Sequence, residues 1–173
     1  MLLGLNRLWG LDWSRTALAD LGLALGADVP VFVHGTSAFA TGVGERLTPL
    51  AVPPAWYLVL VPPVQVATAG VFSAPELTRN TPQVKIADFA TGFGHNDLES
   101  VVTARHPEVR EALIMLRKHT DARMTGSGCC VFAAFPTQSA AEAVQHALPA
   151  NWQSRIARGL QDHPLQDQPL ENC

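Results

Sequence analysis

Asp28 is the carboxylate whose setting most invites chemistry. In LGADVPVF, residues 25–32, it follows Gly26 and stands just before a proline-containing apolar run. An acid at such a junction can be held rigidly beside a cleft, but aspartate also serves in turns by satisfying backbone amides, and both uses stay open. A second stretch, Met124-Thr125-Gly126-Ser127-Gly128, sets two glycines about a serine. Its backbone amides could converge on an anion such as a phosphate, although the same residues suit a hairpin turn with positive φ angles. A third, HNDLE at 95–99, reads as a capping box, with Asn96 opening a helix and Glu99 three places on. His95 has no second ligand at a defensible spacing, so no metal site is expected. Cys129 and Cys130 alternate across an expected strand, which puts at least one thiol in a core, and neither is assigned a reactive role.

These residues need elements to position them. Ser14 ahead of TALADLGLALG, with Leu18, Leu21 and Leu25 at helical spacing, predicts a helix over 15–25 that Gly26 ends in the left-handed conformation. VPVFVHG, SAFATG and ERLTPL then read as short strands of a mixed sheet between Gly and Pro punctuation. At the start, Leu2, Leu3, Leu5, Leu8 and Trp9 read as a helix already in progress, with no capping residue before it. From Trp56 the pattern changes: the buried strand WYLVLV, a short capped turn over Thr68–Ala74, and a helix in HPEVREALIMLRKHT. ARMTGSG, the strand CCVFAAF, the helix QSAAEAVQHAL and a strand near WQSRIARGL follow. The order strand, helix, strand, strand, helix, strand is the split βαβ arrangement of a ferredoxin-like domain, a topology that specifies no function by itself. The polar tail QDHPLQDQPLENC, with two prolines, is expected to be disordered.

Composition narrows the function classes. With 173 residues, 47% hydrophobic and 16% charged, the chain can bury a real core. A formal net charge of −3 and the lack of any basic run argue against nucleic acid or an anionic membrane as partner. Three cysteines, two of them adjacent, suit neither a disulfide framework nor a spaced metal clip, and a reducing cytoplasm is the simpler expectation. Asn6 and Arg7 interrupt the apolar start too early for a signal peptide, and no stretch reaches transmembrane length.

The segments LNRLWGL, LGADVPVFV, FATGVGERLTP, WYLVLV, PELTRNTP, HNDLE and MTGSGCCVFA occur together in one order, from about residue 2 to about residue 160. In this the chain resembles the 4-diphosphocytidyl-2-C-methyl-D-erythritol kinases, a family of GHMP kinases. Homoserine and mevalonate kinases fit the LGADVPVF and NRLWGL segments less well.

The resemblance implies an α+β fold: a remnant of a ribosomal-S5-type N-terminal domain over 1–55, a ferredoxin-like C-terminal domain over 56–160, and the tail from 161 to 173. It implies transfer of the γ-phosphoryl group of ATP, with Mg2+, to the 2-hydroxyl of 4-diphosphocytidyl-2-C-methyl-D-erythritol, in the non-mevalonate route to isoprenoids. Asp28 then matches the catalytic aspartate. Thr68 and Phe72 match positions lining the substrate pocket, with the family's usual Thr-Pro reading Thr68-Ala69 here. Gly126, Ser127 and Gly128 match a loop that supports the nucleotide phosphates. The family's glycine- and serine-rich phosphate loop and early lysine would stand ahead of LLGLNRLWGL, outside these residues. The chain as written is therefore expected to be a poor or inactive kinase. The alternative expectation is a non-catalytic ferredoxin-like binding module derived from such a kinase.

Overall fold

Ser14 opens the first long helix as expected, its hydroxyl accepting a hydrogen bond from the Ala17 amide at 3.1 Å. In the computed structural model, which describes residues 1–82, 86 and 94–164, this helix belongs to the first of two units. That unit comprises Met1–Pro53 and the described residues from Leu160, and the second is Pro54–Gly159.

The first unit begins with α1, Leu2–Leu8, which has no side-chain cap. From within it, Asn6 clasps the backbone of Trp13 beyond the helix through both ends of its amide, at 3.1 and 3.0 Å. Helix α2, Arg15–Leu25, buries Leu18, Ala19 and Gly22. Gly26 ends it with φ 170°, extended rather than left-handed as expected, so no positive φ is needed there.

The apolar run VPVFVH is a helix, α3, Val29–His34, and not the strand its β-branched composition predicts. Pro30 sits in the first turn, where its missing N–H costs nothing, and Gly35 ends the helix in the left-handed region with φ 75°. Pro30 and Val33, three apart, are both buried, and Val33 clusters with Leu18 and Ala19, with Leu2, Leu3 and Val29 packed alongside. Packing against α2 overrides the local preference.

The next two segments are strands, but they form a two-stranded antiparallel sheet rather than part of a mixed one. Strand β1, Ala38–Thr41, pairs with β2, Arg46–Pro49, from Ala38 opposite Pro49 to Thr41 opposite Arg46. Of the expected tail, residues 161–164 are described and are tied into this unit. The Ser37 amide donates to the Gln161 carbonyl at 2.8 Å and the His163 amide to the Gly35 carbonyl at 2.7 Å. Gln161 also exchanges side-chain hydrogen bonds with Val52 and Leu50. The remainder of that expectation, residues 165–173 with Cys173, lies outside the described residues.

The second unit has the expected order. Its elements are β3 Trp56–Val61, α4 Thr68–Phe72, α5 Asp97–Arg105, α6 Pro107–Arg117, β4 Ala122–Met124, β5 Val131–Phe135, α7 Gln138–Ala147 and β6 Gln153–Arg158. The sheet runs β4-β5-β3-β6 with every pair antiparallel, the split βαβ topology. Strand alternation puts Leu58, Leu60, Val131 and Ala133 on one face, essentially without solvent exposure. Val101, Val102, Val109, Ala112, Leu113 and Leu116 from α5 and α6 join that core, as do Ala141 and Val144 from α7. Among the described residues no helix is long and apolar enough to cross a membrane.

Candidate functional site

Between β4 and β5 the chain turns through Thr125–Gly128. The Thr125 amide donates to the Cys130 carbonyl at 2.9 Å and the Gly128 amide to the Thr125 carbonyl at 3.1 Å. Gly128 has φ 93°, and a methyl group there would press on Met124 Sδ at 3.2 Å and Val66 Cγ2 at 3.3 Å. Only glycine meets both demands. Among the described residues the amides of Gly126 and Ser127 take no partner, so they are available to an anion.

Ser127 Oγ lies 2.7 Å from Thr68 Oγ1. Thr68 is the first residue of α4, and the cap position before it is Ala67, without a side-chain bond. The threonine hydroxyl thus ties α4 to the glycine loop instead of capping its own helix. Phe72, four residues on, shares the Thr68 face of this short helix. It is 56% exposed, an open apolar ring that could contact a ligand.

Two arginines hold α4 from outside. Arg79 donates to the carbonyls of Phe72, Ala74 and Leu77 at 2.8, 2.9 and 3.1 Å. Arg105 donates to the Gly70 carbonyl at 3.1 Å and forks onto Glu76 Oε1 at 3.1 and 2.6 Å. The Glu76 carboxyl is held below its usual range by its own backbone amide first and then by Arg105. Phe72, Arg79, His95, Asn96, Thr125 and Gly126 are among the residues lining a cleft of about 780 Å³. The structure therefore brings Thr68 to Ser127, and Phe72 to the same cleft as Gly126.

HNDLE is only half a capping box. Asn96 Oδ1 accepts the Leu98 amide at 3.0 Å, as a cap should. Glu99 is drawn elsewhere: Oε2 accepts the Met124 amide at 3.0 Å and Oε1 takes Arg117 at 2.7 Å. His95 Nε2 meets Asp97 Oδ1 at 2.7 Å. Among the described residues no three His, Cys, Asp or Glu side chains group as a metal site, so these residues present no donor set that would hold Mg2+ by themselves. Cys129 and Cys130 are free thiols. Burial, and then the neighbouring Cys129, push the Cys130 thiol upward, away from the thiolate.

Asp28 belongs to the first unit. It is exposed and occupies the cap position of α3 with φ −84° and ψ −11°, yet its side chain makes no capping bond. A turn aspartate that satisfies backbone amides would make one, whereas this carboxylate is uncommitted. The tip of the β1–β2 hairpin backs this turn: Gly44, at φ 118°, lies so close that a methyl group would reach 2.7 Å from the Ala27 carbonyl oxygen. Glu45 folds the tip by accepting the Val43 amide at 2.8 Å. Its own amide and then that of Val43 hold its carboxyl below the usual range. Gly44→Ala combines a strained φ with a backbone clash. It is expected to cost roughly 1–3 kcal/mol in urea unfolding and to shift the amide resonances of Ala27 and Asp28.

Sequence reasoning did not reach Gly44, the two arginines beneath α4 or the second job of Asn96. The available signal was the asparagine itself: a cap uses only the side-chain oxygen, leaving its NH2 group to be placed.

Residues 77–154 match the family model of GHMP kinases, C-terminal. The chain is 60% identical over 167 residues to the 4-diphosphocytidyl-2-C-methyl-D-erythritol kinase of Thiobacillus denitrificans, a match covering 96% of this chain and 60% of that relative. It is 56% identical over 169 residues to the protein of the same name from Nitrosospira multiformis, covering 96% and 58%. Its fold is similar to the crystal structure of a 4-(cytidine 5'-diphospho)-2C-methyl-D-erythritol kinase, with TM-score 0.72, 32% identity, and coverage of 90% of this chain and 60% of that one. The chain thus spans about 60% of the length of these relatives.

Proposed function

We propose that this chain, which carries the C-terminal domain of the GHMP kinases at residues 77–154, is the greater part of an enzyme that transfers the γ-phosphoryl group of ATP to the 2-hydroxyl of 4-diphosphocytidyl-2-C-methyl-D-erythritol. The observation that carries this reading is the 60% identity to a relative of that name across 96% of the chain. The geometry supports it with an uncommitted carboxylate at Asp28 and a loop with free amides at Gly126 and Ser127.

In this reading the substrate oxygen attacks the γ-phosphorus, the bond from that phosphorus to the ADP oxygen breaks, and Asp28 takes the hydroxyl proton. In the same reading the free amides of Gly126 and Ser127 serve the nucleotide phosphates, and Thr68 and Phe72 serve the alcohol. A phosphate cradle and a lysine beside Asp28 would complete this arrangement. Since no donor set among the described residues would hold Mg2+, the nucleotide phosphates would carry it, and it would supply neutralisation of the charge on the transferring group. The free thiols suit a reducing cytoplasm.

The test is an ATP-dependent phosphorylation assay with this alcohol, on a protein extended to the relatives' length. Phosphorylated product and ADP in equal amounts are expected. A folded extended protein that binds nucleotide without turnover would replace the kinase reading with that of a non-catalytic binding module.

A further inference from the structure

We infer that Asn96 is a positioning residue for the phosphate-facing loop, aiming the Ser127 amide, and that Glu99 shares the task. The inference rests on the kinase reading for its consequence but on geometry for its substance. Asn96 uses both ends of its side chain: Oδ1 accepts the Leu98 amide at 3.0 Å, while Nδ2 donates to the Met124 carbonyl at 3.0 Å and the Gly126 carbonyl at 2.7 Å. The two Nδ2 hydrogens are thereby spent on the strand end and the loop.

Strand β4 is three residues long and lies at the sheet edge, where backbone groups go unpaired unless something covers them. At Met124 both are covered, the carbonyl by Asn96 and the amide by Glu99. Glu99 is itself held by Arg117, whose Nε donates to the Ala122 carbonyl at 3.0 Å. The edge strand is thus tied to α5 and α6 along its length.

The loop beyond it follows from peptide geometry. In a trans peptide the C=O and the following N–H point in opposite directions. With the Gly126 carbonyl drawn to Asn96, the Ser127 N–H is turned away from it, and that amide has no partner among the described residues. Ser127 is held a second time through its hydroxyl by Thr68. Asn96 therefore sets the direction of a donor in a loop whose glycines would otherwise leave it free to rotate.

Asn96→Asp separates this role from capping. Aspartate caps a helix as well as asparagine does, but a carboxylate has no N–H and would face two carbonyl oxygens. In the extended protein, Asn96→Asp is expected to speed amide hydrogen exchange at residues 125–128 about tenfold and to weaken ATP affinity, measured by calorimetry, by about tenfold. The exchange at Leu98 should stay unchanged. Exchange at 125–128 no faster than in the parent overturns the inference whatever the activity. Faster exchange with unchanged ATP affinity overturns the claim that the loop's aim matters. A parent protein that binds ATP but does not turn over fails the kinase reading alone, because exchange and calorimetry still report on Asn96.

Discussion

Asp28→Asn in the extended protein should lower kcat by about a thousandfold, within the range a positioned general base contributes, while KM for either substrate moves little. The exchange keeps the size of the side chain and removes its negative charge and its capacity to hold a proton. That kcat loss corresponds to about 4 kcal/mol of transition-state stabilisation. The fold should not respond, because the Asp28 carboxylate is exposed and makes no capping bond that the variant could lose. The measurement is steady-state kinetics beside thermal unfolding. A variant that keeps its kcat removes Asp28 from the chemistry, and one that loses activity together with its melting point makes Asp28 a structural residue.

The second large effect is on stability. Leu113 and Ile114 are neighbours on α6, yet Leu113 is 1% exposed and Ile114 is 54% exposed. Leu113→Ala removes a side chain from the face that α6 packs on the sheet, in a core where Leu58, Leu60, Val109 and Leu116 are also fully enclosed. Such truncations forfeit both the transfer free energy and the contacts around the cavity left behind, and the expected loss is about 3–4 kcal/mol. Ile114→Ala should cost under about 1 kcal/mol, since little of that side chain leaves water on folding. Urea titrations of the two variants decide it. Equal losses would mean that α6 is not seated on its Leu113 face.

The second unit was readable in the sequence because its signals are local and strong. WYLVLV is an unbroken apolar run of strand length, and HPEVREALIMLRKHT repeats at helical period. The errors fall where distant partners decide. VPVFVH has a strand's composition, but Pro30 is harmless in a first turn, and the packing of Val33 with Leu18 and Ala19 makes it a helix. Glu99 has the spacing of a capping box, and it is Met124, 25 positions away, that claims its carboxylate. The candidate site divides in the same way. Residue type and neighbours singled out Asp28 and the glycine loop. The bond from Thr68 to Ser127 spans 59 positions and leaves no mark on either segment.

Strands β3 and β6 are the first and last of the second unit, and they are sheet neighbours, with Trp56 opposite Arg158. Just outside them the Gly159 amide donates to the Ala55 carbonyl at 2.8 Å. The polypeptide thus enters and leaves this unit through one doorway, and residues 54–159 are topologically an insertion whose two ends are already joined by a hydrogen bond. Joining them covalently would close the same loop in the unfolded chain, so the closure entropy otherwise lost on folding is removed from the balance while the folded unit takes on no strain. The unit is suited to being excised whole, or circularly permuted with new termini opened in one of its helix–strand connections.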